Sequence, residues 1–181
     1  MSWRTLQDPA DTGTASIRTP DYAAALYAWR LWEVESAGPS SRLRSLYRNC
    51  IWPVGAPVVA RCEAHRFRLR RRSRHTVPAE ACTCGIHAVP FYYIRMLARQ
   101  DRLLLPGRPV VLGTVAVWGD VVECEDGWRA EYAYPSGLYL PSTCSDAEAK
   151  AEGLEDYGVP VHVVDTRNVT GALDAVAELA A

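Results

Sequence analysis

One stretch just past the middle of the chain constrains the fold most strongly, because it predicts two strands joined by a tight turn. Residues 110–118 are apolar and rich in β-branched side chains, and residues 121–125 continue this pattern. Gly119 lies between the two runs and predicts a bend or a β-bulge. Asp126-Gly127 is a preferred pair where both residues of a hairpin turn need positive φ angles. The stretch therefore predicts an antiparallel hairpin.

The strand after this turn alternates between two faces, as a half-buried antiparallel strand does. Arg129 and Glu131 belong to one face. The opposite face is mostly aromatic and is formed by Trp128, Ala130, Tyr132 and Tyr134. We interpret the aromatic face as core rather than as a platform for a ligand.

Three segments upstream of the hairpin predict further strands. Residues 22–34 are rich in aromatic side chains and lead into a Ser-Ala-Gly-Pro turn, which favours a strand. Residues 23–28 alone have the composition of a helix, and that alternative stays open. Residues 43–47 predict the return strand of a hairpin, and residues 57–62 predict a third strand.

The remaining segments alternate between helix and strand. A helix is predicted to begin at Pro90, since proline fits the first helical turn. Ser145 precedes a second helix, which it is expected to cap and which ends near Gly158. Residues 159–164 predict a strand, and Asn168 is a candidate cap for the last helix. The fold class that follows is α+β, with a mainly antiparallel sheet and a C-terminal helix–strand–helix.

The length of 181 residues suits one domain. Residues 1–21 are polar and predict a flexible N-terminal tail, so residues 22–181 are expected to form a single α+β domain. No apolar run is long enough to span a membrane, and the first residues lack the apolar stretch of a signal peptide. We therefore expect a cytoplasmic protein with reduced thiols and no membrane partner.

Six candidate metal ligands lie between residues 62 and 87. Thiolate and imidazole are the ligands that zinc prefers, and four of them in a tetrahedron complete a structural site. The preferred set is Cys62, His75, Cys82 and Cys84. His65 and His87 stay open as substitutes for His75. Structural Zn²⁺ is thus the expected cofactor.

Two interpretations compete with a structural zinc site. In the first, Cys62 is a buried strand residue and the two later cysteines are ordinary loop thiols, since cysteine is among the most buried residue types. In the second, Cys84 and His87 form a nucleophile and its base in a small enzyme, or a metal keeps an open position for water. No catalytic residue is assigned, because the chain contains no nucleotide-binding or hydrolase motif and nothing indicates an orienting third residue.

Three parts of the sequence resemble a group of small actinobacterial proteins to which no activity is assigned. The matching parts are CTCGIHA at 82–88, GTVAVWGDVVECEDGWRAEYAYP at 113–135 and YGVPV at 157–161. The shared pattern is a cysteine, His-x-x-Pro, C-x-C-G-[IF]-[HY]-A, L-W-G and A-Y-P, with Val117 here where leucine is usual. The resemblance covers roughly residues 25–161 and implies that the four preferred ligands belong together.

The segment between the candidate ligands is strongly basic, although the whole chain has a net charge of −1. Its arginines are candidate contacts to a polyanion, namely Arg66, Arg68, Arg70, Arg71, Arg72 and Arg74. A solvated loop is the competing interpretation. We expect residues 61–88 to form an arginine-rich loop with a Cys/His knuckle.

The expected function is that of a non-enzymatic, zinc-stabilised binding or regulatory module. Its partner would be a protein or a nucleic acid, contacted through the arginine-rich loop. A small enzyme is the first alternative. The second alternative is a structural subunit of a larger assembly, whose apolar N-terminal strand pairs with the sheet edge of a partner.

Overall fold

The computed structural model describes residues 18–19, 25–37, 40–62, 75–99 and 110–181. Within these ranges the chain forms a mixed sheet, mostly antiparallel, and three α-helices, which confirms the predicted α+β class. The strands are β1 (Arg18–Thr19), β2 (Leu26–Ala37), β3 (Ser40–Ser45), β4 (Val58–Val59), β5 (Ile86–Ala88), β6 (Val110–Cys124), β7 (Gly127–Pro141) and β8 (Val161–Val164). The helices are α1 (Phe91–Arg99), α2 (Ala147–Leu154), which continues into a 3₁₀ turn (Glu155–Tyr157), and α3 (Val169–Leu179).

The predicted hairpin is confirmed, but its turn lies one residue earlier than expected. Strands β6 and β7 pair antiparallel, and Cys124 pairs with Gly127, so the turn residues are Glu125 and Asp126. Gly127 instead begins β7 with a φ angle of 146°. The glycine is required by close packing on a neighbouring strand rather than by the turn. The bulge predicted near Gly119 is present as a register shift between Trp118 and Val121.

The strand predicted within residues 22–34 is confirmed as β2, so the helical alternative is wrong over the described residues. Ala28 and Trp32 are buried in one core, while Trp29 and Leu31 pack against the other. Burial on both faces explains the nearly continuous apolar pattern. Strand β3 is the predicted return strand and pairs antiparallel with β2.

The sheet curls until its two sides meet. Strand order is β3-β2-β6-β7-β4, with β5 and β8 also paired to β7 and β1 to β6. Val89, which follows β5, exchanges two backbone hydrogen bonds with Trp29 of β2, at 2.8 and 2.9 Å. Arg30 donates across the same junction to the carbonyl of His87. Strands β2, β6, β7 and β5 thus form a closed circuit around the larger core, as strand twist permits.

Two apolar cores hold the helices. The larger core includes residues from β2, β6 and β7 together with Leu154 and Tyr157. The second core joins α1 and α3 to the opposite face of the sheet through Leu112 and Tyr139. Strand β8 pairs parallel with β7, which confirms the predicted C-terminal helix–strand–helix.

Two local predictions differ from the structure, and one is confirmed. Asp146, in the left-handed region, precedes α2 and its side chain makes no capping bond, so the expected cap at Ser145 is wrong. The Ser145 hydroxyl instead accepts from Lys150 at 3.3 Å. The strand predicted at 57–62 is only two residues long, because the chain leaves the sheet towards Cys62. Asn168 caps α3, where its side chain accepts from the Gly171 N–H.

Parts of the predicted organisation lie outside the described residues. These are residues 1–17 and 20–21 of the predicted tail, and residues 63–74 of the arginine-rich loop. Residues 18–19, inside the predicted tail, form β1. Across the described ranges, every helix is too short or too polar to cross a membrane.

We predict that Gly127→Ala weakens the junction between the hairpin and β5. A Cβ atom at this position would lie 2.2 Å from the carbonyl oxygen of Ala88, and the φ angle adds strain. We expect the free energy of unfolding in urea to fall by about 2–4 kcal/mol. Gly55→Ala is the matched control, because Gly55 also has a positive φ angle but nothing lies within 4 Å of its added Cβ. Equal losses in the two variants would contradict the packing explanation.

Candidate metal centre

Four side chains from one stretch of the chain, residues 62–84, converge at one end of β7. The Cys/His cluster consists of Cys62, His75, Cys82 and Cys84, whose ligand atoms all lie within 4.8 Å of one another. Cys84 is buried and the other three residues are half-buried. The cluster could hold a metal ion, and it is the preferred set predicted from the sequence. Among the described residues, His75 rather than His87 is the histidine that joins the three cysteines.

The distances within the cluster suit a shared ion rather than a disulfide. The sulfurs of Cys62 and Cys82 are 3.7 Å apart, whereas a disulfide bond is about 2.05 Å long. The sulfur of Cys84 lies 3.4 Å from Nε2 of His75. All four positions are filled by protein side chains, as in structural metal sites, which leave no position for water.

The loop that carries two of the cysteines is held against β7. The backbone N–H of Cys82 donates to the carbonyl of Ala79 at 3.1 Å, which turns the chain. Two residues after Cys84, Ile86 begins β5 and pairs with Ala130 of β7. Gly85 has a φ angle of 124°, and a Cβ there would lie 2.9 Å from Cβ of Arg129. Glycine is needed at this position because the loop passes directly over β7.

Arg129 organises the loop, and the sequence interpretation missed this role. It lies on the side of β7 opposite Ala130, as expected, but the loop covers that side and leaves the residue only 7% exposed. Its guanidinium donates to the carbonyls of Ala79 and Cys84 at 3.0 Å each and to that of Cys82. It also donates to the sulfur of Cys124 at 3.2 Å. An arginine in an alternating strand gives no signal of such a contact, because its partners lie in another segment.

The cysteines have different proton affinities in the absence of a cation. Burial, and with it the negative charge of the neighbouring sulfurs, raises the pKa of Cys84 to about 11. Burial also disfavours the Cys82 thiolate, but hydrogen bonds from Cys84 and Cys62 and the charge of Arg129 outweigh it and lower the pKa of Cys82. Three thiolates repel one another at these distances, and a bound cation would offset that repulsion.

The contacts of His87 differ from those that a nucleophile–base pair requires. Nε2 of His87 lies 3.1 Å from the carbonyl oxygen of Thr83, while the sulfur of Cys84 is next to His75. Burial lowers the pKa of His87, and the charges of Arg30, Arg129 and Arg48 act in the same direction. The described contacts therefore pair Cys84 with His75 and not with His87.

Further histidine and cysteine residues lie away from the cluster or outside the described residues. His162 lies in β8 and stacks on Tyr139, with ring centroids 5.6 Å apart. Cys50 and Cys144 are not part of the cluster, which is the only such group among the described residues. The remaining predicted residues lie outside the described ranges, namely His65, Arg66, Arg68, Arg70, Arg71, Arg72 and Arg74.

Comparison with protein-family models, curated proteins and solved structures found no match to this chain. The resemblance to actinobacterial proteins stays a prediction. The interpretation of the site consequently depends on its own geometry.

Proposed function

We propose that the chain is a zinc-stabilised binding module, in which the Cys/His cluster holds one structural Zn²⁺ and anchors a basic segment that contacts nucleic acid. The observation that supports it is the convergence of three sulfurs and one imidazole nitrogen within 4.8 Å. Three cysteines and one histidine are an established ligand set for structural zinc.

The distances agree with tetrahedral zinc. Bonds of about 2.3 Å to sulfur and 2.0 Å to nitrogen give sulfur–sulfur edges of about 3.8 Å and sulfur–nitrogen edges of about 3.5 Å. The corresponding distances in the cluster are 3.7 Å between Cys62 and Cys82 and 3.4 Å between Cys84 and His75. Zn²⁺ with three thiolates and a neutral imidazole has a net charge of −1, which the nearby Arg129 guanidinium offsets.

Two of the ligands tie the ends of the basic segment, residues 63–74. Cys62 directly precedes this segment and His75 directly follows it. The segment contains six arginines and one glutamate. A metal that binds both flanking residues would close the segment into a loop and hold its charges close together. Such a loop loses less conformational entropy when it binds nucleic acid than a free chain would lose.

Phosphate groups are the partner that best matches such a loop. Arginine binds phosphate oxygens with two parallel hydrogen bonds, and a dense row of arginines suits a regularly charged backbone. Because contacts to phosphate groups do not read the bases, binding through these arginines would be weakly selective for sequence. An acidic protein surface is the alternative partner, and its binding would not require a regular phosphate spacing.

We predict that Arg70→Ser/Arg71→Ser/Arg72→Ser weakens binding to a labelled DNA duplex and reduces its salt dependence. Loss of three phosphate contacts would reduce the slope of log K against log[salt] by about 2.7. Fluorescence anisotropy over a salt series measures both quantities. The matched control is Arg95→Ser/Arg99→Ser/Arg167→Ser, which removes the same charge from α1 and from the loop before α3. Equal losses in the two triple variants would contradict a role for the basic segment.

The identity of the metal is tested separately from nucleic-acid binding. Mass spectrometry of the untagged protein is expected to give about one zinc per chain, as a four-ligand site requires. Replacement by Co²⁺ should produce the visible absorption of a tetrahedral thiolate site. Absence of metal, with six reactive thiols in the folded protein, would refute the zinc site.

A further inference from the structure

Strand β8 has an open edge. On its inner side, the Leu138 N–H donates to the carbonyl of Pro160, and the Ser142 N–H donates to that of Val164. Successive residues of a strand direct their backbone groups to alternate sides, so those of Val161 and Val163 point away from β7. In the part of the chain that the structure describes, β8 pairs with β7 alone. An open edge of this kind can accept a further strand.

An acidic groove of about 670 Å³ follows this edge. One wall is a stripe of three glutamates at helical spacing, Glu148 and Glu152 of α2 and Glu155 of the 3₁₀ turn that follows. Among the described residues, none of the three glutamates forms an ion pair. The stripe spans about 10 Å, and three alternate residues of a strand span a similar distance of about 13 Å.

The other side of the acidic groove is apolar. Leu179, near the end of α3, lines it and is 51% exposed. The side chains of Val161 and Val163 pack towards the larger core, while His162 stacks on Tyr139 on the α3 side. A strand added here would place alternate side chains against the glutamates and the others against Leu179. The groove therefore suits a strand that alternates basic and apolar residues.

The chain itself contains such a sequence. Residues 66–70 read Arg-Phe-Arg-Leu-Arg, which alternates basic and apolar side chains with a period of two. We propose that the acidic groove binds residues 66–70 of a second copy of this chain as an added strand. The three arginines would meet the three glutamates of the stripe, and Phe67 and Leu69 would pack towards Leu179.

The distances favour a second copy over the same chain. Arg66 is four residues from Cys62 and Arg70 is five residues from His75, so the two ends of the segment reach at most about 14 and 17 Å from the Cys/His cluster. Its middle residue, Arg68, reaches at most about 21 Å. Arg129 lies beneath that cluster, and β8 pairs with β7 from Leu138 onward, nine residues further along the strand. Nine strand residues span about 30 Å. This argument uses only the positions of Cys62 and His75 and does not rest on the proposed function.

Charge also disfavours the simpler pairing of two β8 edges. Two identical acidic grooves would bring their glutamate stripes together, and like charges at an interface oppose association. A basic strand in an acidic groove instead brings opposite charges together, which favours association. Salt is therefore expected to weaken the complex.

Analytical ultracentrifugation of the full chain tests the proposal. At low salt we expect reversible self-association in the micromolar range, and Glu148→Gln/Glu152→Gln should raise its dissociation constant about tenfold, the effect of two exposed ion pairs. The matched control is Glu123→Gln/Glu125→Gln, which changes two exposed glutamates at the tip of the β6–β7 hairpin. A single-chain mass throughout the micromolar range, or equal effects of the two double variants, would overturn the proposal.

A mixing experiment identifies the strand that occupies the groove. Arg66→Ser/Arg68→Ser/Arg70→Ser removes the basic strand but keeps the groove, whereas Glu148→Gln/Glu152→Gln does the reverse. Each variant alone should associate about tenfold more weakly than the unchanged chain, and their mixture should recover a heterodimer through the one intact pair of surfaces. Val163→Pro, which removes an outward N–H as well as the valine side chain, should weaken association more than Val163→Ala, which keeps that N–H. Lack of recovery in the mixture, or equal association of Val163→Pro and Val163→Ala, would refute strand addition.

Discussion

Changing Cys84 to serine is expected to release the metal and to destabilise the end of the sheet next to the cluster. Cys84 is the most buried ligand, 3% exposed, and serine replaces its thiolate with a hydroxyl that stays protonated at neutral pH. We expect zinc affinity to fall by about a thousandfold or more, which lowers the free energy of unfolding at saturating zinc by about 4 kcal/mol. Competition with a chelator measures the affinity, and urea unfolding with and without zinc measures the stability.

Cys144→Ser is the matched control for this change. Cys144 is a half-buried thiol outside the cluster, and its sulfur lies 3.5 Å from the carbonyl oxygen of Ser145. It should bind zinc as the unchanged chain does. If Cys84→Ser kept one zinc per chain with unchanged affinity, the cluster would not be the metal site. A chelator should likewise lower the stability of the unchanged chain and have little effect on the Cys84→Ser variant.

Arg129→Met is expected to have the second largest effect. The change removes the donor for three loop carbonyls and leaves a buried side chain of similar length. Loss of these bonds should lower the free energy of unfolding by about 3–5 kcal/mol. Because these carbonyls fix the positions of two ligands, zinc affinity should also fall, by about 10- to 100-fold.

Two variants separate the positioning role of Arg129 from a general effect of charge. Arg129→Lys keeps the charge but cannot donate in the same fork geometry, so it should recover only part of the affinity. Arg167→Met removes an exposed arginine that pairs with Asp165, and both stability and zinc affinity should stay unchanged. Full recovery of zinc affinity by lysine would mean that charge, rather than the three hydrogen bonds, explains the effect.

The candidate site could be largely predicted from the sequence because its chemistry is local. Cys82 and Cys84 are separated by one residue and followed by a glycine, which limits the shapes that their loop adopts. The selection of His75 over His87 needed the structure, since spacing alone leaves both possible. The hairpin and the capped last helix were predictable for the same reason, because turn and cap residues act over a few positions.

Features that depend on contacts between distant segments could not be predicted. Arg129 has the pattern of a solvent-facing strand residue, and only the loop from residue 79 to residue 84 makes its position buried. The turn prediction placed Gly127 in the turn because Asp-Gly favours it, whereas the backbone of Ala88 determines where that glycine is needed. Strand β8 was predicted as a strand, but its open edge follows from the order of the whole sheet.

The bridge between Trp29 and Val89 has a consequence for how the chain folds. Val89 lies five residues after Cys84, and β5, the strand between them, pairs with β7. One short segment therefore both positions the loop that carries Cys82 and Cys84 and closes the sheet against β2. Trp29 and Cys84 are 55 positions apart in the chain. Closing so long a loop has an entropic cost that a crosslink near its end reduces. A metal bound to the cluster would therefore lower the entropic cost of forming the two Trp29–Val89 hydrogen bonds, so that metal binding and closure of the strand circuit favour each other.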